Sequence, residues 1–328
     1  MPDVHESRRS CEECKGCKQI TGDTTITEPG CYYVTKNITG AGTEVILIKA
    51  DRVSIDLNGH TLTLPGSSGA VIRVEPGFTG ISVRNGTLSG SRRAFTQDAH
   101  ATKRSRVRLE NLTIQDYGHA GVHISGADQV DLLDNRIVST MNHGVMINPG
   151  GGVEFTGHFL RNTLRCANSN FLLLSGLRGA VVRGNELYGE GDQVGIGVYG
   201  HANIVEGNTV SLCHGPGIDV DGTGNLIANN TVRDAWNSGI RVKSDYNRIV
   251  GNVVHRCQLS GIKIDGSRNL IEGNHSSGNI SPGPALPSYG LEFVSGSDNA
   301  YRNNMLRGNT DGAVHDPFGN TDAGGNIV

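Results

Sequence analysis

Gly217-Ile218-Asp219-Val220, Gly239-Ile240-Arg241-Val242 and Gly261-Ile262-Lys263-Ile264 are one phrase written three times at intervals of 22 residues. Between them Ile227-Ala228-Asn229-Asn230, Val250-Gly251-Asn252 and Ile271-Glu272-Gly273-Asn274 repeat a second phrase at the same interval. In the first phrase apolar residues alternate with variable ones, the period of a strand with one face buried. In the second a β-favouring pair runs into Asn, a residue suited to tight corners because it tolerates the left-handed conformation and its amide can bond to copies above and below.

Both phrases extend outward. The glycine phrase continues back through Gly195-Ile196-Gly197-Val198, Phe171-Leu172-Leu173-Leu174, Gly144-Val145-Met146-Ile147 and Gly121-Val122-His123-Ile124, and forward to Gly290-Leu291-Glu292-Phe293. The asparagine phrase is traced through Asn58, Asn85, Asn111, Asn135, Asn162, Asn185 and Asn208, and on to Asn304. No copy contains a 3.6-residue period. Two or three short strands per 22 residues cannot bury an apolar face alone, whereas stacked copies share a continuous core, so the repeat predicts a solenoid, best fitted by a three-sided parallel β-helix.

Composition agrees. The 328 residues include 47 Gly and 28 Asn but only 5% aromatics, which argues against helical and doubly wound α/β classes, while 36% hydrophobic content argues against disorder. A formal charge of −3 offers no general attraction to nucleic acid or an anionic membrane, and the apolar runs are strand-sized. The expected partners therefore include neither nucleic acid nor membrane. No apolar leader core lies between Met1 and Lys18, so the location expected by default is cytoplasmic, or exported if this is a mature form.

With its coil period and Asn ladder, the chain from Val45 to Val328 resembles the right-handed parallel β-helix superfamily with the pectate-lyase-like fold. The resemblance implies an all-β chain: one right-handed parallel β-helix of about 11 coils over residues 45–328, behind a Cys-rich cap over residues 1–44. It is open as to activity, because that scaffold hosts lyases, hydrolases, epimerases, adhesins and non-catalytic proteins.

Cysteine usage divides in two. Cys213 and Cys257 share a phase two coils apart, on the order of 10 Å at about 4.8 Å per rung, which is too far for a disulfide, and read as small core residues. Cys11, Cys14, Cys17 and Cys31 precede the coils; they suit a structural zinc site, two disulfides or free thiols.

Chemistry on such a scaffold is expected where the outward positions of successive coils form a column. One column reads His123, Met146, Leu173, Gly197, Asp219, Arg241, Lys263 and Glu292; a second reads Ser125, Asn148, Ser175, Tyr199, Asp221, Lys243, Asp265 and Val294. Six charges fall within three coils, with His214 and Trp236 on adjoining loops. They suit an anionic sugar: Arg241 and Lys243 as carboxylate binders, with Trp236 and Asp265 also lining the substrate. His214 or Lys263 would act as base, Tyr199 as proton donor, and Asp219 and Asp221 as acid or orienting groups. The expected partner is an anionic polysaccharide or a small anionic sugar, transformed by β-elimination or C5 epimerisation with no cofactor required for the chemistry.

Family comparison supports several variants. Arg241-Val242-Lys243 is similar to the Arg-x-Lys strand of polygalacturonase-type hydrolases, which implies a glycosidase built on Asp219, Asp221 and Asp265, although their Asp-Asp pair and Gly-His-Gly are absent. Tyr199, His214, Lys243 and Asp221 resemble the set of alginate-epimerase-like enzymes, without their Asp-Pro-His signature. Calcium at Asp219, Asp221 and Asp265, as in pectate lyases, is opposed by Lys243 and Lys263. A non-catalytic glycan-binding or structural solenoid, whose charges pair across strands, is the alternative from another class. His119, His123 and His143 form a second constellation that could hold zinc or copper.

Overall fold

Ile196–His201, Ile218–Asp221, Ile240–Val242, Ile262–Asp265 and Tyr289–Ser295 lie side by side as parallel strands, each one coil after the last. In the computed structural model, which describes residues 16–328 except 67, 140–142, 149–153, 167–168, 192 and 284–285, they belong to a 13-stranded parallel sheet running from Thr24–Ile26 to Gly312–His315. The other strands form a 23-stranded sheet. It comprises two faces, joined where the long strands Ile81–Gly90 and Ser105–Gln115 pair with separate strands at each half. The molecule is a right-handed, three-sided parallel β-helix, with no α-helix among the described residues. Stacking begins at Lys18, so residues 18–44 already lie in the first coils.

The alternation seen in the sequence sets the core. Ile218, Val220, Ile240, Val242, Ile262, Ile264, Leu291 and Phe293 all point inward with no exposed surface. Each such side chain contributes about 1.5–3 kcal/mol on burial. Cys166, Cys213 and Cys257 are buried and form no disulfide, and burial pushes their thiols up to about 12, so they stay protonated at neutral pH.

The corners revise the reading of asparagine. From Asn135 to Asn326 a buried ladder runs through Asn162, Asn185, Asn208, Asn230, Asn252, Asn274 and Asn304, each side-chain oxygen accepting from the backbone and side-chain N–H groups of the Asn one coil earlier. The left-handed conformation belongs to the residue before it, as at Asp134 (φ 56°), Arg161 (54°), Gly184 (64°) and Gly207 (62°). Asn58, Asn85 and Asn111 are different: they adopt the left-handed conformation themselves, at 51°, 61° and 51°, and remain partly or fully exposed. Leu112, not Asn111, meets Asn135 at the ladder position. One residue type thus does two jobs one position apart. A second ladder lines another corner, through Asn203, Asn225, Asn247, Asn269, Asn299 and Asn320; the sequence reading missed it despite its 22-residue spacings from Asn203 to Asn269.

At the N-terminal end Cys17 and Cys31 form a disulfide, which takes two of the four thiolates that a zinc site would need. Cys11 and Cys14 lie outside the described residues.

Candidate functional site

The register puts His123, Met146, Leu173, Gly197, Asp219, Arg241, Lys263 and Glu292 in one outward column of the 13-stranded sheet, as the alternation requires. The second column holds through Ser175, Tyr199 and Asp221, but a register shift after Ile264 sets Ser295, not Val294, opposite Asp265.

Asp219 is the centre of the charged region and is 1% exposed. Arg241 grips it with two parallel bonds, Nε to Oδ1 at 2.8 Å and Nη2 to Oδ2 at 2.9 Å. Lys243 Nζ lies 3.1 Å from Oδ2, and the Tyr199 hydroxyl donates to the same oxygen at 3.0 Å. Burial pushes the Asp219 carboxyl up, yet the hydrogen bonds from Arg241 and the charges of Arg241 and Lys243 outweigh it and hold the group below the usual carboxylate range. Burial first, and then the negative charge of Asp219, push the Tyr199 phenol up, so it stays protonated. The Lys243 ammonium also lies 5.5 Å from the centre of the Tyr199 ring.

Gly197 makes this arrangement possible. A Cβ there would stand 3.4 Å from the Tyr199 hydroxyl oxygen and 3.0 Å from Leu173 Cδ1, so the tip of Tyr199 occupies the space that a side chain would take. Gly197→Val is therefore expected to push Tyr199 off Asp219. In an ultraviolet pH titration of the eight tyrosines, one more phenol should ionise near the ordinary value of about 10 than in the parent protein. An unchanged titration would mean that Tyr199 does not depend on the glycine.

Each of the remaining expected residues is engaged by a different partner. Lys263 faces Glu292 at 3.4 Å, and Glu292, 7% exposed, accepts a 2.6 Å bond from Ser260. Asp265 accepts from Ser295, and Asp221 accepts from Ser244 at 2.9 Å. His214 stacks on Trp236 with ring centres 3.9 Å apart, leaving Trp236 53% exposed. Glu292 stood in the column that the sequence defines but carried no assigned role; its burial and its bond to Ser260 make it the partner that fixes Lys263. Ser244 and Ser260 gave no sequence signal, because their contacts depend on loop paths between coils.

Among the described residues no group of three His, Cys, Asp or Glu side chains converges as ligands. The rings of His119 and His143 meet edge to face at 5.8 Å, and Ser169 Oγ lies 2.8 Å from His143 Nδ1. The two oxygens of Asp219 are likewise committed to Arg241, Lys243 and Tyr199, which leaves a calcium reading at Asp219, Asp221 and Asp265 without its central ligand.

Residues 143–311 match a family model described as right handed beta helix region. Among solved structures the fold is similar to the A-module of the mannuronan C-5 epimerase AlgE6 of Azotobacter vinelandii, with TM-score 0.61 and 13% identity over 92% of this chain and 87% of that one. It is also similar to the periplasmic alginate epimerase AlgG, with TM-score 0.55 and 12% identity over 92% of this chain and 75% of the other. No curated protein matches the sequence. At such identities the likeness is one of fold.

Proposed function

The chain belongs to the right-handed β-helix family, and from that premise we propose that it is a carbohydrate-active enzyme that removes the C5 proton of a uronate in an anionic glycan. The observation that carries the reading is one buried carboxylate, Asp219, orienting a protonated phenol and two cations that keep about a third of their side-chain surface in water. Lys243 and Arg241 would neutralise the uronate carboxylate, drawing charge from C5 and making its proton more acidic. His214, on the loop leading into the Asp219 strand, would accept that proton; Tyr199 would turn its O–H from Asp219 to the substrate. Donation to the leaving O4 gives β-elimination, and donation to the opposite face of C5 gives epimerisation. Asp219 serves as an orienting group. In a glycosidase, Asp219, held ionised by Arg241 and Lys243, could not serve as the protonated acid.

The second reading, a glycan-binding solenoid without catalysis, is favoured by the pairing of Lys263 with Glu292 and of Asp265 with Ser295. One experiment separates the two. Polyuronates incubated with the protein in D2O are followed by NMR for deuterium at C5 and by ultraviolet absorbance for the unsaturated elimination product. Exchange or elimination is expected, falling by roughly 10²–10⁴-fold in Lys243→Ala. Binding that depends on Lys243 without either reaction supports the second reading, and absence of both binding and reaction overturns the two together.

A further inference from the structure

About four rungs from Asp219 along the same column, on the order of 19 Å at about 4.8 Å per rung, a group of side chains remains outside the chemistry above. Arg93–Gln97, Ala120–Ser125 and His143–Asn148 are neighbouring strands that align Arg93, Ala120 and His143 across one row and Thr96, His123 and Met146 across another. His119 immediately precedes Ala120, and its backbone N–H bonds to the Arg92 carbonyl at 2.8 Å. Arg93, His119, His123 and His143 are thereby gathered at one place on the sheet.

Among the described residues, two polar atoms there are buried without a hydrogen-bond partner, Arg93 Nε and His119 Nδ1. A buried polar atom left this way costs about 1–3 kcal/mol, and native structures contain few. Arg93 reaches its nearest carboxylate, Asp98, only at 4.0 Å. His123 Nδ1 is 3.9 Å from the same Asp98 oxygen and 3.4 Å from Thr96 Oγ1. The next outward residue, Arg73, is engaged by Glu44 at 2.7 Å and Glu75 at 3.4 Å, and so brings no uncompensated charge. Burial, then the nearby charges of Arg93 and Arg92, push His119 and His123 below the ordinary imidazole range, although Asp98 opposes this at His123; burial and then His119 do the same to His143. At neutral pH the group is thus a set of neutral imidazoles beside two guanidinium groups.

The missing partner follows from donor chemistry. An arginine Nε–H can only donate, and a neutral imidazole can place its proton on whichever nitrogen faces an acceptor. Two guanidinium groups repel a metal cation and favour a negatively charged acceptor. We propose that Arg93, His119 and His123 form an oxyanion-binding site, separate from the Asp219 cluster, that accepts the carboxylate of a sugar acid or a phosphate group. This site stands on its own residues and holds whether or not chemistry occurs at Tyr199 and Lys243.

The test is side-chain ¹⁵N NMR of the histidines in the whole chain at neutral pH, titrated separately with galacturonate and with inorganic phosphate against sodium chloride of equal ionic strength. Saturable shifts at His119 and His123 are expected with at least one anion; response to galacturonate identifies a carboxylate as the source, and response to phosphate alone identifies a phosphate. Arg93→Gln should weaken the apparent affinity tenfold or more, whereas Lys243→Ala should leave it unchanged. Should Arg93→Gln fail to fold, His119→Gln provides the same readout through His123. Shifts no larger than those in sodium chloride, or shifts undiminished in the folded variant, overturn the proposal, the first meaning that water alone satisfies the two nitrogens. Because Lys243 plays no part in this readout, failure here is distinguishable from failure of the proposed function.

Discussion

Asn230→Ala is expected to lower the unfolding free energy by about 3–5 kcal/mol. The Asn230 side-chain oxygen accepts from both the backbone and the side-chain nitrogen of Asn208, at 3.0 and 2.9 Å, while its own amide donates to the Val205 carbonyl at 2.9 Å and to Asn252 at 3.0 Å. Alanine leaves the Asn208 backbone N–H and one Asn208 side-chain proton unsatisfied inside the protein, at about 1–3 kcal/mol each, and removes the side-chain donor from the Val205 carbonyl, offset in part if water enters the space. Asn252 retains the bond from the residue 230 backbone, so the damage is directed toward the earlier coil. Since each coil is held mainly by its neighbours, a defect at this point should also weaken cooperativity and split the transition. Urea unfolding followed by circular dichroism measures both effects. The informative control is Asn111→Gly. Asn111 is exposed, sits at φ 51°, and loses only a 3.0 Å bond to Asn85, while glycine suits the left-handed backbone, so its change should stay within about 0.5 kcal/mol. Equal costs at the two positions would defeat the assignment of separate roles.

That contrast marks how far the sequence could be read. Period and alternation were legible because stacking imposes them on every coil: Ile218, Ile240 and Ile262 must point inward, and the residues following them must then point outward. The phase of an asparagine was not legible from local sequence, since Leu109-Glu110-Asn111 and Leu133-Asp134-Asn135 look alike, yet the buried amide and the left-handed corner differ by one residue. The candidate site shows the same division. Tyr199, Asp219, Arg241 and Lys243 were placed in adjacent columns by counting, and the structure joins them into one hydrogen-bonded cluster. Counting did not reveal that Asp219 would be nearly inaccessible, because its burial results from the long side chains of Arg241 and Lys243 and the ring of Tyr199 folding over it. Loop-borne partners such as Ser244 and Ser260, and the unsatisfied nitrogens of Arg93 and His119, depend on paths between coils for which the repeat carries no information.

Asp219→Asn is expected to abolish function and to cost about 2–4 kcal/mol. The side chain keeps its shape but loses the charge that Arg241 and Lys243 share, and it presents an amide donor where three donors already converge. Removing one member of a buried ion pair typically costs about 3–5 kcal/mol, and the lower range applies here because both cations retain access to water. The folded-state pKa of Asp219 lies below its unfolded value, so its stabilisation is fully present above the unfolded pKa of about 3.9 and is lost as pH falls from there through the folded value. The acid limb of the stability profile should therefore be shallower in Asp219→Asn than in the parent, and a parallel limb would show that the pair contributes nothing to folding. Loss of stability alone would not establish a functional role. Asp219→Leu combined with Arg241→Met removes both charges at similar volume, and such replacements often recover stability. If that double variant folds as well as the parent yet neither binds nor transforms a polyuronate, the buried pair is retained for recognition of the substrate; if it keeps full activity, the charged cluster is structural and the chemistry must be sought elsewhere on the sheet.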